Sequence, residues 1–174
     1  MKTILRTGLI VLLMLVIKTG ASAQVIIDET NLITRLSGLN SLTIADAGKY
    51  FTDHNYSQFS KQTIQQPTYS MDLYKYKTKD QTDSYILSAI GGQVASAGRI
   101  TYSEDEFQLA VKTVKDMDYV PGEAAAPESG KTIYAKGNMR FIIQKKAAAN
   151  GNIFYVMSLS DILKTGQLAA GAKK

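Results

Sequence analysis

Two stretches of the chain alternate between apolar and polar positions on either side of a polar centre. Met71 to Ile90 and Met139 to Ser158 align without a gap, and each has an apolar or aromatic run, a turn-like segment and a second apolar run. Runs rich in Tyr, Ile, Phe and Val are typical of β-strands, and a short polar segment between two of them is typical of a hairpin turn. The pattern predicts two β-hairpins that are copies of one another.

A segment with helical periodicity precedes each hairpin. Residues 40–56 and 103–119 carry apolar side chains at spacings of three and four, which is the spacing of one helix face. Asn40 and Ser103 stand at the expected N-cap positions, and Ser103 with Glu106 has the form of a capping box. The sequence therefore predicts a helix–strand–strand unit that is used twice, with loops at 57–68 and 121–130, of which the second is expected to be the most mobile internal segment.

These elements predict an α+β fold in which the two tandem helix–strand–strand units form one antiparallel sheet with the helices packed on one face. A short amphipathic helix is predicted within residues 25–40, ahead of the first unit. The predicted organisation is a signal peptide at 1–23, a single domain at 24–164 with repeat units at about 40–98 and 103–166, and a flexible tail at 165–174.

The alternation also predicts which residues share a face of the sheet, although a one-residue slip in register would exchange the two sets. If each hairpin turns near its polar centre, the side facing the helices holds Met71, Leu73, Ile86 and Ile90 in the first copy and Met139, Phe141, Ile143, Phe154 and Val156 in the second. The opposite face then presents tyrosines, and exposed aromatic area commonly marks an interaction site. This register predicts partner binding through Tyr74, Tyr76, Tyr85 and Tyr155, whereas ordinary packing of strand tyrosines is the alternative.

The first 23 residues have the pattern of a signal peptide. Two basic residues, an apolar run at 8–17 and the small-residue sequence Ala21-Ser22-Ala23 follow in that order. The run is shorter than the roughly 20 residues that a membrane-spanning helix needs. We expect cleavage between Ala23 and Gln24, export to the periplasm or the medium, and no transmembrane segment after processing.

Processing would change the charge of the chain. Lys2, Arg6 and Lys18 lie in or beside the predicted signal peptide, so 17 of the 20 basic residues remain against 15 acidic ones, a net charge of +2. A charge this small gives little reason to expect a nucleic-acid partner. Lysines do gather toward the predicted hairpin tips, which is compatible with an anionic partner in the cell envelope: Lys75, Lys77, Lys79, Lys145 and Lys146.

The chain offers few residues for catalysis. It has no cysteine and one histidine, His54, which excludes disulfides, thiol nucleophiles and a histidine-rich metal site. Glu104, Asp105 and Glu106 form an acidic cluster, but acids in the first turn of a helix are what the helix dipole favours. We therefore predict no catalytic residues, metal or cofactor, and a binding module for a protein or glycan. A carboxylate-dependent hydrolase and a structural, self-associating envelope component are the alternatives.

The order helix, strand, strand, repeated in a small exported chain, resembles the tandem domains of β-lactamase-inhibitor-protein-like and PepSY-like proteins. The resemblance covers most of the mature chain but concerns the order of elements, and the paired cysteines of the inhibitor proteins are absent. It implies a non-catalytic module that binds a protein through its sheet.

Overall fold

The computed structural model describes residues 27–79, 83–122 and 130–172; the predicted signal peptide and its cleavage site lie outside them. Within these ranges the helices are α1 (Leu32–Asn40), α2 (Ile44–Asp53), α3 (Glu104–Asp116) and α4 (Ile162–Gly171). The strands are β1 (Ser57–Gln65), β2 (Ser70–Lys77), β3 (Ser84–Ile90), β4 (Gln93–Thr101), β5 (Val120–Pro121), β6 (Lys131–Lys136), β7 (Met139–Ala147) and β8 (Ile153–Asp161). No helix within this described part is both long and apolar enough to cross a membrane.

The eight strands form one antiparallel sheet in the order β1-β2-β3-β4-β8-β7-β6-β5. The α+β fold with one antiparallel sheet is confirmed, and the tandem arrangement agrees with the prediction. Each unit is larger than predicted, because α2 is followed by β1 to β4 and α3 by β5 to β8. The last strands of the two units, β4 and β8, pair at the centre of the sheet.

Two of the strands that were not predicted lie at the edges of the sheet. Residues 57–65, predicted as loop, form β1, which pairs only with β2, and the two-residue β5 pairs only with β6. Edge strands in natural proteins are often short or polar, which limits pairing with other chains. The sequence of β1, SQFSKQTIQ, lacks the apolar alternation by which a half-buried strand is recognised, since most of its residues are exposed.

Side-chain caps fix where the helices begin. Ser103 Oγ accepts a hydrogen bond from the Glu106 amide at 3.2 Å, as the capping-box sequence predicts. The N-cap of α2 is Thr43, whose hydroxyl accepts from the Asp46 amide at 3.1 Å. Asn40, the predicted cap, is instead the buried last residue of α1, where its side-chain amide donates to the Leu159 carbonyl at 2.8 Å.

Helices α1, α2 and α3 pack on the same face of the sheet, which agrees with the prediction. Helix α1 buries Ile33, Leu36 and Leu39 and contacts β4 and β8, so it covers the seam between the two units rather than an end of the core. Phe51 of α2 and Val114 of α3 are fully buried in the same cluster. Removing one such side chain typically costs about 2 to 5 kcal/mol, so these contacts hold helices and sheet together.

Helix α4 replaces most of the predicted flexible tail. The Asp161 carboxylate caps it by accepting from the Leu163 and Lys164 amides, and Thr165 donates to the Ala95 carbonyl of β4 at 3.2 Å. Gly166 and the small residues after it resemble a tail in sequence because they carry little apolar surface. The helix lies on the sheet face opposite α1 to α3, beside Ser96 and other residues of β3, β4 and β8.

Candidate functional site

The predicted face assignment is wrong in β2, β3 and β8 and right in β7. The face covered by α1 to α3, called here the helix face, holds Tyr74, Tyr76, Tyr85, Leu87, Ala97, Arg99, Thr101, Tyr134, Phe141, Ile143, Tyr155, Met157 and Leu159. The other face, called the open face, holds Leu73, Lys75, Lys77, Ile86, Ser88, Ser96, Gly98, Ile100, Lys131, Ile133, Arg140, Ile142, Lys146, Phe154, Val156, Ser158 and Ser160. Phe141 and Ile143 were predicted correctly, whereas Leu73, Ile86, Phe154 and Val156 were not.

The four tyrosines predicted to bind a partner pack under the helices. Tyr76, Tyr85 and Tyr155 are only 4%, 2% and 2% exposed, and Tyr74 is half-buried against the core. Tyr76 stacks on Phe51 of α2 and Tyr155 on Phe107 of α3, each with ring centroids 4.3 Å apart. Their predicted exposure is therefore corrected, since aromatic rings on the helices cover this face.

Tyr85 belongs to a buried polar network on the helix face. Arg99 is 9% exposed; its Nε donates to Glu106 at 3.0 Å, its Nη2 donates to Asp83 at 3.1 Å, and its guanidinium lies 4.9 Å from the centroid of the Tyr85 ring. Burial acts to lower the pKa of Arg99, but the hydrogen bond to Glu106 and the nearby carboxylates raise it overall. This network ties α3 to the sheet through paired charges.

A second polar cluster joins the chain before α1 to the end of α2. The carboxylate of Glu29 accepts from the Tyr50 hydroxyl at 2.7 Å and lies 3.1 Å from His54 Nε2 and 3.6 Å from Arg35 Nη2. Arg35 in turn donates to the Tyr85 hydroxyl at 2.7 Å. His54 is exposed, and its Nδ1 is 2.8 Å from the Tyr50 carbonyl oxygen.

A cleft of about 420 Å³ lies between the start of α1 and α3 and is lined in part by these charged residues. Glu29 and Glu106 line it, but each already has a cationic partner. Glu104 and Asp105 are exposed in the first turn of α3. Among the described residues, no three or more histidine, aspartate or glutamate side chains are grouped as metal ligands. The two carboxylates that line the cleft are therefore already paired, Glu29 with Arg35 and Glu106 with Arg99.

The open face presents a row of isoleucines with small residues between them, called here the apolar floor. Ile86, Gly98, Ser158, Ile142 and Ile133 stand opposite one another on five adjacent strands, so they form one row across both units. The isoleucines are half-buried, and the small residues between them make the middle of the row shallow. A Cβ on Gly98 would lie 2.9 Å from the Met157 carbonyl oxygen, which explains why glycine stands at this close strand contact.

Exposed aromatic side chains lie at the border of this floor. Phe59, in the bulge of β1, is 48% exposed and lies under Lys77, whose Nζ is 5.0 Å from the ring centroid. Tyr102, just after β4, is 46% exposed and its ring lies 6.0 Å from that of Phe154. Exposed aromatic rings beside an apolar floor are typical of protein interfaces.

Basic side chains also occupy the open face, and no acidic side chain accompanies them among the described strand residues. The five charged strand residues on it are Lys75, Lys77, Lys131, Arg140 and Lys146. Only two acidic residues occur in the described strands, Asp72 and Asp161. Both point to the helix-face side, because each is two positions from a helix-face residue, Tyr74 or Leu159. Within the described residues, none of the five basic groups makes an ion pair.

One end of the open face is covered by α4, and a groove of about 430 Å³ lies beneath this helix. Its floor includes Ser88, Ser96 and Ser160, which stand opposite one another on β3, β4 and β8. None of the residues of α4 is fully buried. The groove is thus a continuation of the open face, with a loosely packed helix above it.

The tyrosines predicted to bind a partner and the open face thus lie on opposite sides of one sheet. Of the lysines predicted to meet an anionic partner, Lys75, Lys77 and Lys146 lie on the open face and Lys145 points to the helix-face side. The signal that could have located the open face was the pair of lysines, Lys75 and Lys77, that alternate with Tyr74 and Tyr76 in β2. No family model, curated protein or solved structure matches the chain.

Proposed function

We propose that this protein is an exported binding module that holds a macromolecular partner on the open face of its sheet. The proposal covers binding rather than chemical conversion. A sheet that packs helices on one face normally carries polar side chains on the other. The observation that carries the proposal is the half-buried apolar floor with Ile86, Ile133 and Ile142, which extends beyond the part covered by α4.

The energetic argument concerns this apolar surface. Apolar side chains gain roughly 25 cal/mol for each Å² removed from water, so a contiguous apolar surface favours association with a partner that fits it. The rim supplies aromatic side chains, Phe59 and Tyr102, of the kind that act as anchors in interfaces. Export and the resemblance to inhibitor-like and PepSY-like tandem domains agree with this function and stay predictions.

Site-specific photo-crosslinking tests the proposal in the native envelope fraction. A photoreactive side chain replaces Val156 on the open face, and the matched control carries it at Ile153, which lies on the same strand, is 40% exposed and points to the other side. We expect a defined crosslinked product from position 156 and much less of it from position 153. Equal products from both positions, or none from 156, would contradict binding on the open face.

Purified components then measure the contribution of one anchor. Tyr102→Ala is expected to raise the Kd for the crosslinked partner by about 5- to 30-fold, corresponding to about 1 to 2 kcal/mol. Leu109→Ala is the control, because Leu109 is 65% exposed on α3, away from the open face. A crosslink between two copies of this chain would favour the structural, self-associating alternative, which sedimentation velocity tests directly.

A further inference from the structure

We infer that the partner held on the open face is an acidic protein, an inference that rests on the proposed function. The face combines five basic side chains with an apolar floor and carries no acidic side chain among the described strand residues. Surfaces that associate specifically tend to have complementary potentials. The partner surface should therefore combine carboxylates with apolar side chains.

The distribution of charge is not a consequence of composition. The predicted mature chain is nearly balanced, with 17 basic and 15 acidic residues. On the helix-face side, two strand cations are paired with acids: Lys61 is 3.1 Å from Asp72, and Arg99 contacts Asp83 and Glu106. Lys136 and Lys145 also lie on that side and make no ion pair with a described residue. The open face differs because all five of its strand cations lack an ion pair among the described residues and no described acidic strand residue lies on it.

The spacing of the cations sets the arrangement of carboxylates that fits them. Lys75 and Lys77 lie on β2 of the first unit, whereas Lys131, Arg140 and Lys146 lie on β6 and β7 of the second. Three strands, β3, β4 and β8, lie between β2 and β7 in the sheet order, and neighbouring strands are spaced about 4.8 Å apart. An acidic partner would therefore contact two basic borders with the apolar floor between them.

The shape of the face favours a protein over a membrane surface. Helix α4 lies over one end of the face, and a helix with its side chains is about 10 Å thick. A planar bilayer would meet α4 before it reached the floor at Ile142 and Ile86. A protein element narrow enough to lie beside α4 can reach both the floor and the basic borders.

The chemistry of the floor also favours a protein over a nucleic acid. Single-stranded nucleic acids bind to aromatic side chains on which successive bases stack. The floor here is aliphatic, with Ile86, Ile133 and Ile142, whereas the exposed rings of Phe59 and Tyr102 lie at its border. Branched aliphatic side chains are suited to packing against the apolar side chains of a protein.

Binding of defined polymers tests the inference with the chain as it exists. Fluorescence anisotropy at low salt compares a labelled random copolymer of glutamate and tyrosine with a copolymer of lysine and tyrosine. We expect the acidic copolymer alone to bind, and its Kd to rise at least tenfold between about 0.05 and 0.5 M NaCl, because salt screens exposed charges. Absence of binding, or equal binding of both copolymers, overturns the inference.

A pair of neighbouring lysines gives the matched control. Lys146→Glu reverses a charge on the open face, and Lys145→Glu makes the same change on the adjacent residue, which points to the other side; both side chains are exposed. We expect Lys146→Glu to raise the Kd of the acidic copolymer about fivefold and Lys145→Glu less than twofold. Equal losses would mean a nonspecific response to net charge and would overturn the inference.

Two further probes decide the class of the partner. Vesicles of phosphatidylglycerol and a 20-nucleotide thymidine oligonucleotide are measured against the same two variants. Tighter binding to either of them than to the acidic copolymer, lost in Lys146→Glu and kept in Lys145→Glu, would replace the acidic protein by an anionic membrane or a nucleic acid.

The two proposals fail separately. If the crosslinked partner still depends on Tyr102 but is insensitive to Lys146→Glu and to salt, the open face binds a partner that is not acidic. If position 156 yields no crosslinked product at all, the proposed function itself is wrong.

Discussion

The two faces of this sheet differ in the charges that they carry and in how those charges are paired. On the helix face, Arg99 is buried and contacts two carboxylates, and at its edge Lys61 is paired with Asp72. On the open face, Lys75 and Lys146 stand beside apolar residues and make no ion pair with a described residue. A buried charge without a partner is costly, whereas a solvated one is tolerated. The paired charges of the helix face therefore contribute to folding, whereas the strand cations of the open face remain solvated.

The largest expected difference between the faces concerns adjacent residues of β7. Phe141→Ala removes a fully buried ring on the helix face and should lower the free energy of unfolding by about 3 to 5 kcal/mol. Ile142→Ala, one position along on the open face, should cost about 1 kcal/mol, because its side chain is half-exposed. Chemical denaturation of both variants measures the difference, and equal losses would show that the open face is as closely packed as the core.

The two arginines of the sheet, one on each face, should differ in their contribution to stability. Arg99→Leu leaves Asp83 and Glu106 without their cation and should cost about 2 to 4 kcal/mol, slightly less than for a fully buried pair because both carboxylates are partly exposed. Arg140→Leu on the open face removes hydrogen bonds to the Gly137 and Met139 carbonyls and should cost no more than about 1 kcal/mol.

Thermal unfolding followed by circular dichroism compares these arginine variants. A larger loss of stability for Arg140→Leu than for Arg99→Leu would contradict a stabilising charge network on the helix face. Arg99→Lys adds a useful reference, since lysine keeps the charge but loses the planar fork that binds Glu106 and Asp83 together.

The smallest expected effect is the pH dependence of the edge pairing between β1 and β2. Hydrogen bonds from Thr63 and Lys61 lower the pKa of Asp72 below its unfolded value. Its contribution to stability is therefore present above the unfolded pKa, near pH 4, and is lost as the pH falls through the folded pKa. Because the pair is solvent-exposed, the effect should stay below about 1 kcal/mol.

Denaturation at pH 6 and pH 3 measures this effect. Asp72→Asn should lose less stability between the two values than the unmodified protein does. Asp53→Asn, at the end of α2 and without an ion pair to a described residue, is the control. If both variants changed the pH dependence equally, the carboxylate of Asp72 would have no particular role at the edge.

Much of the secondary structure followed from local sequence pattern. The cap at Ser103, the helical periodicity around Phe51 and Phe107 and both central hairpins depend on residues close together in the chain, and each was predicted. The edge strand β1 and the helix α4 were not, because neither carries the apolar pattern that local reasoning detects. β1 forms by pairing with β2, and α4 forms through its Asp161 cap and the contact of Thr165 with β4.

Which residues of a strand share a side follows from the sequence alone, because successive residues of a strand point to opposite sides. The sequence did not determine which side meets the helices, since both sides of β2, β3 and β8 carry apolar or aromatic residues. The side that meets the helices is set by long-range packing, as in the contacts of Tyr76 with Phe51 and of Tyr155 with Phe107. Those contacts join residues distant in sequence, and a one-residue change in register would exchange the buried face with the open face.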